Sequence, residues 1–243
     1  MNHATAEQFD AKVTDVCELY LKAAELAAEG ERVVSTDELT GVPALEPTQP
    51  NLPVAAGQVE RREFEYTRSG HGTGSFILNR DVASGQVVAP SRGPTRTEAD
   101  FVRHIQATLA SDLTAKRWHF VTDTRSVNSH CSESLVRLVA AASGLTLALG
   151  LKGKCGILKT TSSRAAFLSD PSHPSVFHYT PKQAAWMNQI AIWLSILTRK
   201  LLKRGRFASV ADLQAQVFAF IAYYNRTLAG PFKWTYRGKP LVA

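Results

Sequence analysis

The order of the predicted strands and helices is the sequence feature that most constrains the fold of this 243-residue chain. Short apolar runs that end at Gly, Pro or Asp predict strands, and apolar residues at three- and four-residue spacing predict helices. After a first helix, several strands follow one another. Later strands alternate with helices, and two helices come last. We therefore predict an α/β fold with a mixed sheet and helices on both of its faces.

The predicted elements cover most of the chain. Strands are predicted from Val33 to Asp37 and over 61–68, 74–82, 86–90, Trp118–Asp123 and 175–180. Helices are predicted over 6–30, 97–110, 132–142, 163–168, 182–204 and 209–228. Thr97 is the expected N-cap of its helix, because Asp100 stands at the capping-box position. The Gly-rich run SGHGTG predicts a hairpin that joins the strands at 61–68 and 74–82.

Composition restricts the class of protein. The net charge of +7 favours a polyanionic partner such as nucleic acid, although a mildly basic soluble enzyme is the alternative. The three cysteines match no zinc-binding spacing and predict a reduced, cytoplasmic chain. No apolar run resembles a signal peptide or approaches membrane-spanning length, so no membrane association is expected.

Two aspartates are candidate metal ligands because each ends an apolar strand. Asp37 closes the run RVVSTD, and Asp123 closes the run WHFVTD. Ligands of α/β sheets sit beyond the carboxyl ends of the strands, and neighbouring carboxylates there would be stabilised by a hard divalent cation. The alternative is that each aspartate only ends its strand at a turn, which is a common position for Asp.

Several long motifs resemble one known family. The runs VVSTDELTGVPALEP, APSRGPTRTEADFVRHI, RAAFLSDPSH and YTPKQAAWMNQIAIWLSIL are similar to the catalytic domain of bacterial insertion-sequence transposases, in the mariner-related group of the DDE superfamily. The resemblance extends from about residue 8 to the end. It implies a ribonuclease-H-like fold with an extra amino-terminal helix and carboxy-terminal helices. Residues 1–32 would be a helical link, and 33–243 the catalytic domain, with an irregular insertion at about 144–170.

The resemblance also implies a reaction and the residues for it. Family members are endonucleases that use Mg²⁺ or Mn²⁺ for DNA cleavage and strand transfer in DNA transposition, a form of DNA recombination and integration. Asp37 matches the first catalytic aspartate and Asp123 the second, and both would bind the metal. The third acid is a glutamate in a motif that resembles Trp-Leu-Asn-Gln-Ile-Glu, and here that position is Ala191. Metal binding and catalysis are therefore expected to be impaired.

Two further departures from the family pattern leave questions open. Relatives follow the second aspartate with an Asn-Thr-His group after two residues, whereas four residues separate Asp123 from Asn128, which begins the corresponding group that ends at His130. Pairing from the Asn side would place Arg125 at the aspartate position, but Asp123 keeps the family spacing within its strand. The amino-terminal region lacks the helix-turn-helix module of relatives, so we expect sequence-specific DNA recognition to be either absent or supplied by a separate polypeptide.

Basic residues predict where DNA binds. The candidates are Arg199, Lys200, Lys203, Arg204 and Arg206 in one run, with Lys233 and Arg237 near the end of the chain. Their density favours phosphate contacts, although cations also stabilise a helix C-terminus. The resemblance implies double-stranded DNA as the partner, either transposon ends or nonspecific sequence, together with a homodimer and a location at the bacterial nucleoid.

Two alternatives to an impaired transposase stay open. One is a non-catalytic DNA-binding or interaction module that retains the fold, and the other is a nuclease with a rearranged third acid. Trp186, Trp193 and Phe207 are predicted to be core residues because they occur at helical spacing among aliphatic residues.

Overall fold

The computed structural model describes residues 3–47, 66–67, 72–95, 97–123, 130–146 and 148–237. The helices are α1 His3–Ala28, α2 Glu98–Ser111, α3 Glu133–Ala142, α4 Thr161–Leu168, α5 Ile190–Leu197 and α6 Val210–Thr227. The strands are β1 Glu31–Pro43, β2 Glu46–Pro47, β3 Tyr66–Thr67, β4 Thr73–Asp81, β5 Val87–Gly93, β6 Arg117–Thr122 and β7 Ser175–Tyr179. No helix in these described ranges is long and apolar enough to cross a membrane.

The main sheet has five strands in the order β5-β4-β1-β6-β7. Strand β4 is antiparallel to both β1 and β5, whereas β6 is parallel to both β1 and β7. A short turn joins β4 to β5, and each later parallel strand is reached through helices, as parallel pairing requires. The predicted mixed α/β sheet is confirmed.

Helices cover both faces of the sheet, and alternate residues of each strand supply the two cores. Val34, Phe120 and Phe177 pack with α2, α3 and α4 on one face. On the other face, Val33 and Val121 pack with α1, while β4 packs with α5 and α6. Because both faces of the sheet are buried, successive residues of a strand are apolar, and the strands appear in the sequence as nearly continuous apolar runs.

The predicted hairpin between 61–68 and 74–82 is not formed as expected. Tyr66–Thr67 pairs with Glu46–Pro47, and the neighbours of β4 are β1 and β5. The remaining residues of that prediction, 61–65 and 68–71, lie outside the described residues. Other predictions from local sequence are confirmed. The capping box of Thr97 and Asp100 is present at the start of α2, and the short helix predicted over 163–168 is found at Thr161–Leu168.

The single helix predicted over 182–204 is wrong. Residues 182–189 form a turn and a short 3₁₀ segment, Ala185–Met187, before α5 begins at Ile190, and a π-helical turn, Thr198–Leu202, follows it. Gln183 has a positive φ of 66°, which no helix accommodates. Trp186 is consequently 56% exposed, so its predicted core position is also wrong. Trp193 and Phe207 are buried, as predicted.

Candidate active site

Asp37 lies within β1 rather than at its end. The strand continues to Pro43, and Asp37 is paired with Leu78 of the antiparallel neighbour β4. The prediction that Asp37 ends the strand was wrong because β4 extends the pairing beyond the apolar run. On its other side, the pairing of β1 with β6 stops at Ser35. Asp37 therefore lies where β1 no longer has its parallel neighbour.

The register of the parallel strands brings Asp37 and Asp123 together. Ser35 is the last residue of β1 that pairs with β6, and its partner is Val121. Asp37 lies two residues farther along β1, and Asp123 lies two residues beyond Val121, directly after the end of β6, so both belong to the same face. Neighbouring strands are about 4.8 Å apart, so the two carboxylates come close together where β6 ends.

The electrostatics of Asp37 reflect this convergence. Burial and, to a smaller extent, the negative charge of Asp123 raise the pKa of the Asp37 carboxyl to about 6. The backbone N–H of Glu38, which donates to Asp37 Oδ1 at 2.8 Å, acts in the opposite direction. Asp37 therefore resists ionisation, and a nearby cation would favour its charged form.

Glu38 and His130 are site residues whose role sequence reasoning missed. His130 Nε2 lies 3.7 Å from Glu38 Oε1, and its Nδ1 lies 3.8 Å from Asp123 Oδ1 and 3.2 Å from the Asp123 carbonyl oxygen. The imidazole is fully buried and packs against Phe101, with 4.3 Å between ring centroids. It therefore lies beside the residue that directly follows β6. Two sequence features could have identified these residues: Glu38 is an acid that directly follows Asp37, and His130 is the histidine of the Asn-x-His group.

Residues 124–129, which follow Asp123, lie outside the described residues. The predictions for Asn128 and Arg125 therefore have no described position to be compared with. The register of β6 favours Asp123 over Arg125 as the partner of Asp37, because Asp123 is two residues beyond the Ser35–Val121 pair.

Asn188 anchors the start of α5 to β1. Its side-chain amide donates to the Thr36 carbonyl oxygen at 2.9 Å, and its Oδ1 accepts a hydrogen bond from the Ser35 hydroxyl. The Ser35 hydroxyl also accepts from the backbone N–H of Ile190 at 2.8 Å. These bonds join the two residues before Asp37 to the first residue of α5. They also explain why the helix begins at Ile190, since Asn188 is held in an extended conformation.

Ala191 is exposed in the first turn of α5. The predicted stripe of Ala184, Asn188, Ala191 and Ser195 is not one helix face, because Ala184 and Asn188 precede the helix and are buried, whereas Ala191 and Ser195 are exposed. The sequence contains no Asp or Glu between Asp170 and Asp212. Across the described parts of the chain, no group of three or more His, Cys, Asp or Glu side chains could hold a metal ion.

The basic residues that were predicted to bind DNA are all at the surface. The exposed cations are Arg199 and Lys200 in the π-helical turn, Lys203, Arg204 and Arg206 just after it, and Lys233 and Arg237 in the segment that follows α6. Arg199 Nε donates to the Ser195 carbonyl oxygen at 3.2 Å, so this one residue also serves the end of α5. The other members of the run are available to an external anion.

The fold and the paired aspartates define the class of protein. A long first strand with one antiparallel and one parallel neighbour, and with acids on adjacent parallel strands, is the architecture of the ribonuclease-H-like fold. The family model described as DDE superfamily endonuclease matches residues 32–214, so the chain belongs to that family. The predicted family and fold class are both confirmed.

Solved transposase complexes have the same fold. The Mos1 mariner paired-end complex with Mn matches with a TM-score of 0.53 and 14% identity over 91% of this chain and 56% of the Mos1 chain. The Mos1 strand transfer complex matches with a TM-score of 0.53 and 13% identity over 91% and 55% of the two chains. This chain thus spans little more than half the length of either. No curated protein sequence matches it.

Proposed function

We propose that this chain is a DDE transposase catalytic domain whose metal-dependent DNA cleavage and strand transfer are impaired, because Ala191 occupies the position of the third acid. The register that places Asp37 beside Asp123 carries this proposal. Two converging carboxylates, one with a pKa raised to about 6, form a cation-binding arrangement that lacks its third ligand.

Asp37 and Asp123 are the residues that would hold Mg²⁺ or Mn²⁺. Their oxygens are the ligands that hard divalent cations prefer, and the raised pKa of Asp37 reflects burial of its carboxylate and, to a smaller extent, the negative charge of Asp123. When bound, such an ion polarises the scissile phosphate and favours ionisation of the attacking hydroxyl. The Mos1 paired-end complex was solved with Mn, which agrees with this choice of metal.

The remaining side chains would keep the two acids in place. Asp37 must lose its proton before it can bind a cation. His130 contacts Asp123 and limits its movement, while Asn188 fixes the backbone next to Asp37. Ala191 has no oxygen with which to complete the site, so we expect weak occupancy by metal.

Double-stranded DNA is the proposed partner. The exposed basic run and the overall charge of +7 suit a phosphate backbone. The two Mos1 structures are a paired-end complex and a strand transfer complex, which is consistent with a homodimer that holds DNA ends. Such a protein would act at the bacterial nucleoid.

The test restores the missing carboxylate. Mn²⁺ binding and the nicking of supercoiled DNA are measured for the unchanged chain, for Ala191→Glu and for the isosteric control Ala191→Gln. We expect Ala191→Glu to raise the Mn²⁺ affinity on the order of tenfold or more, because it adds one charged ligand, and Ala191→Gln to have little effect. Nicking should appear only with Ala191→Glu and should disappear again when Asp37→Ala is added.

Two outcomes would replace the proposal. Strong metal-dependent nicking by the unchanged chain, abolished by Asp37→Ala, would identify a nuclease with a rearranged acid, and Glu38→Gln would then test the nearest carboxylate. Salt-dependent DNA binding without any gain from Ala191→Glu would instead favour a non-catalytic DNA-binding module.

A further inference from the structure

The segment after α6 is extended and alternates between two environments. We call residues 229–237 the C-terminal strap. Phe232, Trp234 and Tyr236 are partly buried, whereas Lys233 and Arg237 are exposed. Its aromatic residues therefore face the body of the protein, and its cations face solvent.

Each aromatic residue of the strap contacts a different element. The Arg80 guanidinium of β4 lies over the Phe232 ring, 3.6 Å from its centroid. Trp234 packs edge-to-face on Tyr20 of α1, with 4.9 Å between centroids, and Tyr236 packs on Trp186 at 5.3 Å. The strap thus bridges the first helix, the sheet and the turn that precedes α5.

Arg80 is the central residue of this arrangement. Its side chain is fully buried, and within the described residues it belongs to no ion pair. A buried cation is costly unless polar groups compensate it. The compensating groups include Gln189 Oε1 at 2.9 Å, the Gly230 carbonyl oxygen at 2.8 Å and the side chain of Tyr224 in α6. Together with the Phe232 ring, two of these four groups belong to the strap.

Gln189 connects Arg80 to the candidate active site. It is fully buried and lies between Asn188 and Ile190, the two residues that are bound to Ser35 of β1. Its backbone N–H also donates to the Tyr20 hydroxyl at 3.3 Å. A continuous series of contacts therefore runs from Phe232 through Arg80 and Gln189 to the start of α5.

We propose that Arg80 and Phe232 are positioning residues, through which the C-terminal strap holds the first turn of α5 against β1. If the strap is released, Arg80 keeps Gln189 as one of its few compensating groups and must reorganise, which draws Gln189 away from its present position. The significance for catalysis rests on the proposed function, since this turn carries position 191. The mechanical coupling itself does not depend on a bound metal.

Hydrogen–deuterium exchange of the metal-free 243-residue chain tests the coupling. Phe232→Ala removes the ring beneath Arg80, while the matched control Lys233→Ala changes the next, outward-facing residue. We expect amide exchange in 188–192 to become at least about tenfold faster in Phe232→Ala, since this variant has no ring to stabilise the desolvated guanidinium, and to stay unchanged in Lys233→Ala. Peptides from α2 and β5 report any global decrease in stability.

A double-mutant cycle with Arg80→Met distinguishes coupling from a simple packing defect. If Arg80 transmits the effect, Phe232→Ala should accelerate exchange in 188–192 much less in the Arg80→Met background. Equal acceleration in both backgrounds, or acceleration in α2 and β5 to the same degree, would overturn the inference. A failure of Ala191→Glu to bind Mn²⁺ more tightly would overturn the proposed function alone, because the exchange measurement requires no metal.

Discussion

Ala191 and Asn188 lie three residues apart but contribute differently to the fold. Asn188 is buried and holds the backbone beside Asp37 through two hydrogen bonds. Ala191 is exposed, and alanine is the best helix-forming residue, so its presence costs the fold nothing. The absence of a carboxylate at 191 would therefore affect chemistry without affecting folding.

His104 should make stability depend on pH. Burial and, to a smaller extent, the nearby His130 lower the pKa of this imidazole to about 3. The unfolded chain, with a histidine pKa near 6.5, then binds more protons than the folded chain at intermediate pH. His104 should therefore remove about 2 kcal/mol of stability between pH 7 and pH 5, as protonation favours unfolding.

Urea unfolding of the unchanged chain and of His104→Gln at the two pH values checks this prediction. The difference in free energy of unfolding between the two proteins should shrink at pH 5, because the substituted side chain does not titrate. A difference that is the same at both values would contradict the lowered pKa.

The site could be predicted from the sequence only in part. Asp37 and Asp123 could be predicted because an acid at the end of an apolar run can be recognised from the sequence alone. The part that Glu38 and His130 play was missed because their proximity depends on how the connection after β6 returns to the sheet. The catalytic roles of Asp37 and Asp123 stay predictions.

The capping box of α2 should contribute measurably to stability. The Thr97 hydroxyl accepts from the Asp100 N–H at 3.3 Å, and the Thr97 N–H donates to Asp100 Oδ2 at 2.8 Å. Thr97→Ala should lower the free energy of unfolding by about 1 kcal/mol, because one N–H at the helix start is left without its acceptor. Thr97→Ser retains the hydroxyl and is the control. Equal decreases in the thermal stability of the two variants would show that the hydroxyl is unimportant.

Elements with local signals were predicted well, and the element fixed by a distant contact was not. The α2 start and the β6 strand are encoded by neighbouring residues. The start of α5 is set by Ser35, which lies 155 residues earlier in the chain than Ile190. No helical periodicity in 182–204 could reveal that bond. The division into a link at 1–32 and a catalytic domain at 33–243 also stays a prediction.

We expect duplex DNA to bind to the part of the surface that carries the basic run of residues 199–206. Replacing Lys200 and Lys203 by Glu should weaken duplex binding and reduce the slope of log K against log salt by about one for each phosphate that is no longer neutralised. The control is Lys152→Glu with Lys154→Glu, which changes the net charge equally at two exposed lysines in a separate turn. Fluorescence anisotropy at several salt concentrations measures both. Equal effects would indicate that only net charge matters.

The exposure of Trp186 gives the molecule an optical reporter. Of the four tryptophans, Trp118 and Trp193 are buried, whereas the Trp186 indole is open to solvent at the turn that leads into α5. A collisional quencher such as iodide will reach this indole before the buried ones. Trp234 is only partly buried, so a Trp234→Phe background separates its contribution. In that background the quenchable fraction of the emission reports on the order of a single turn, in solution and without any label.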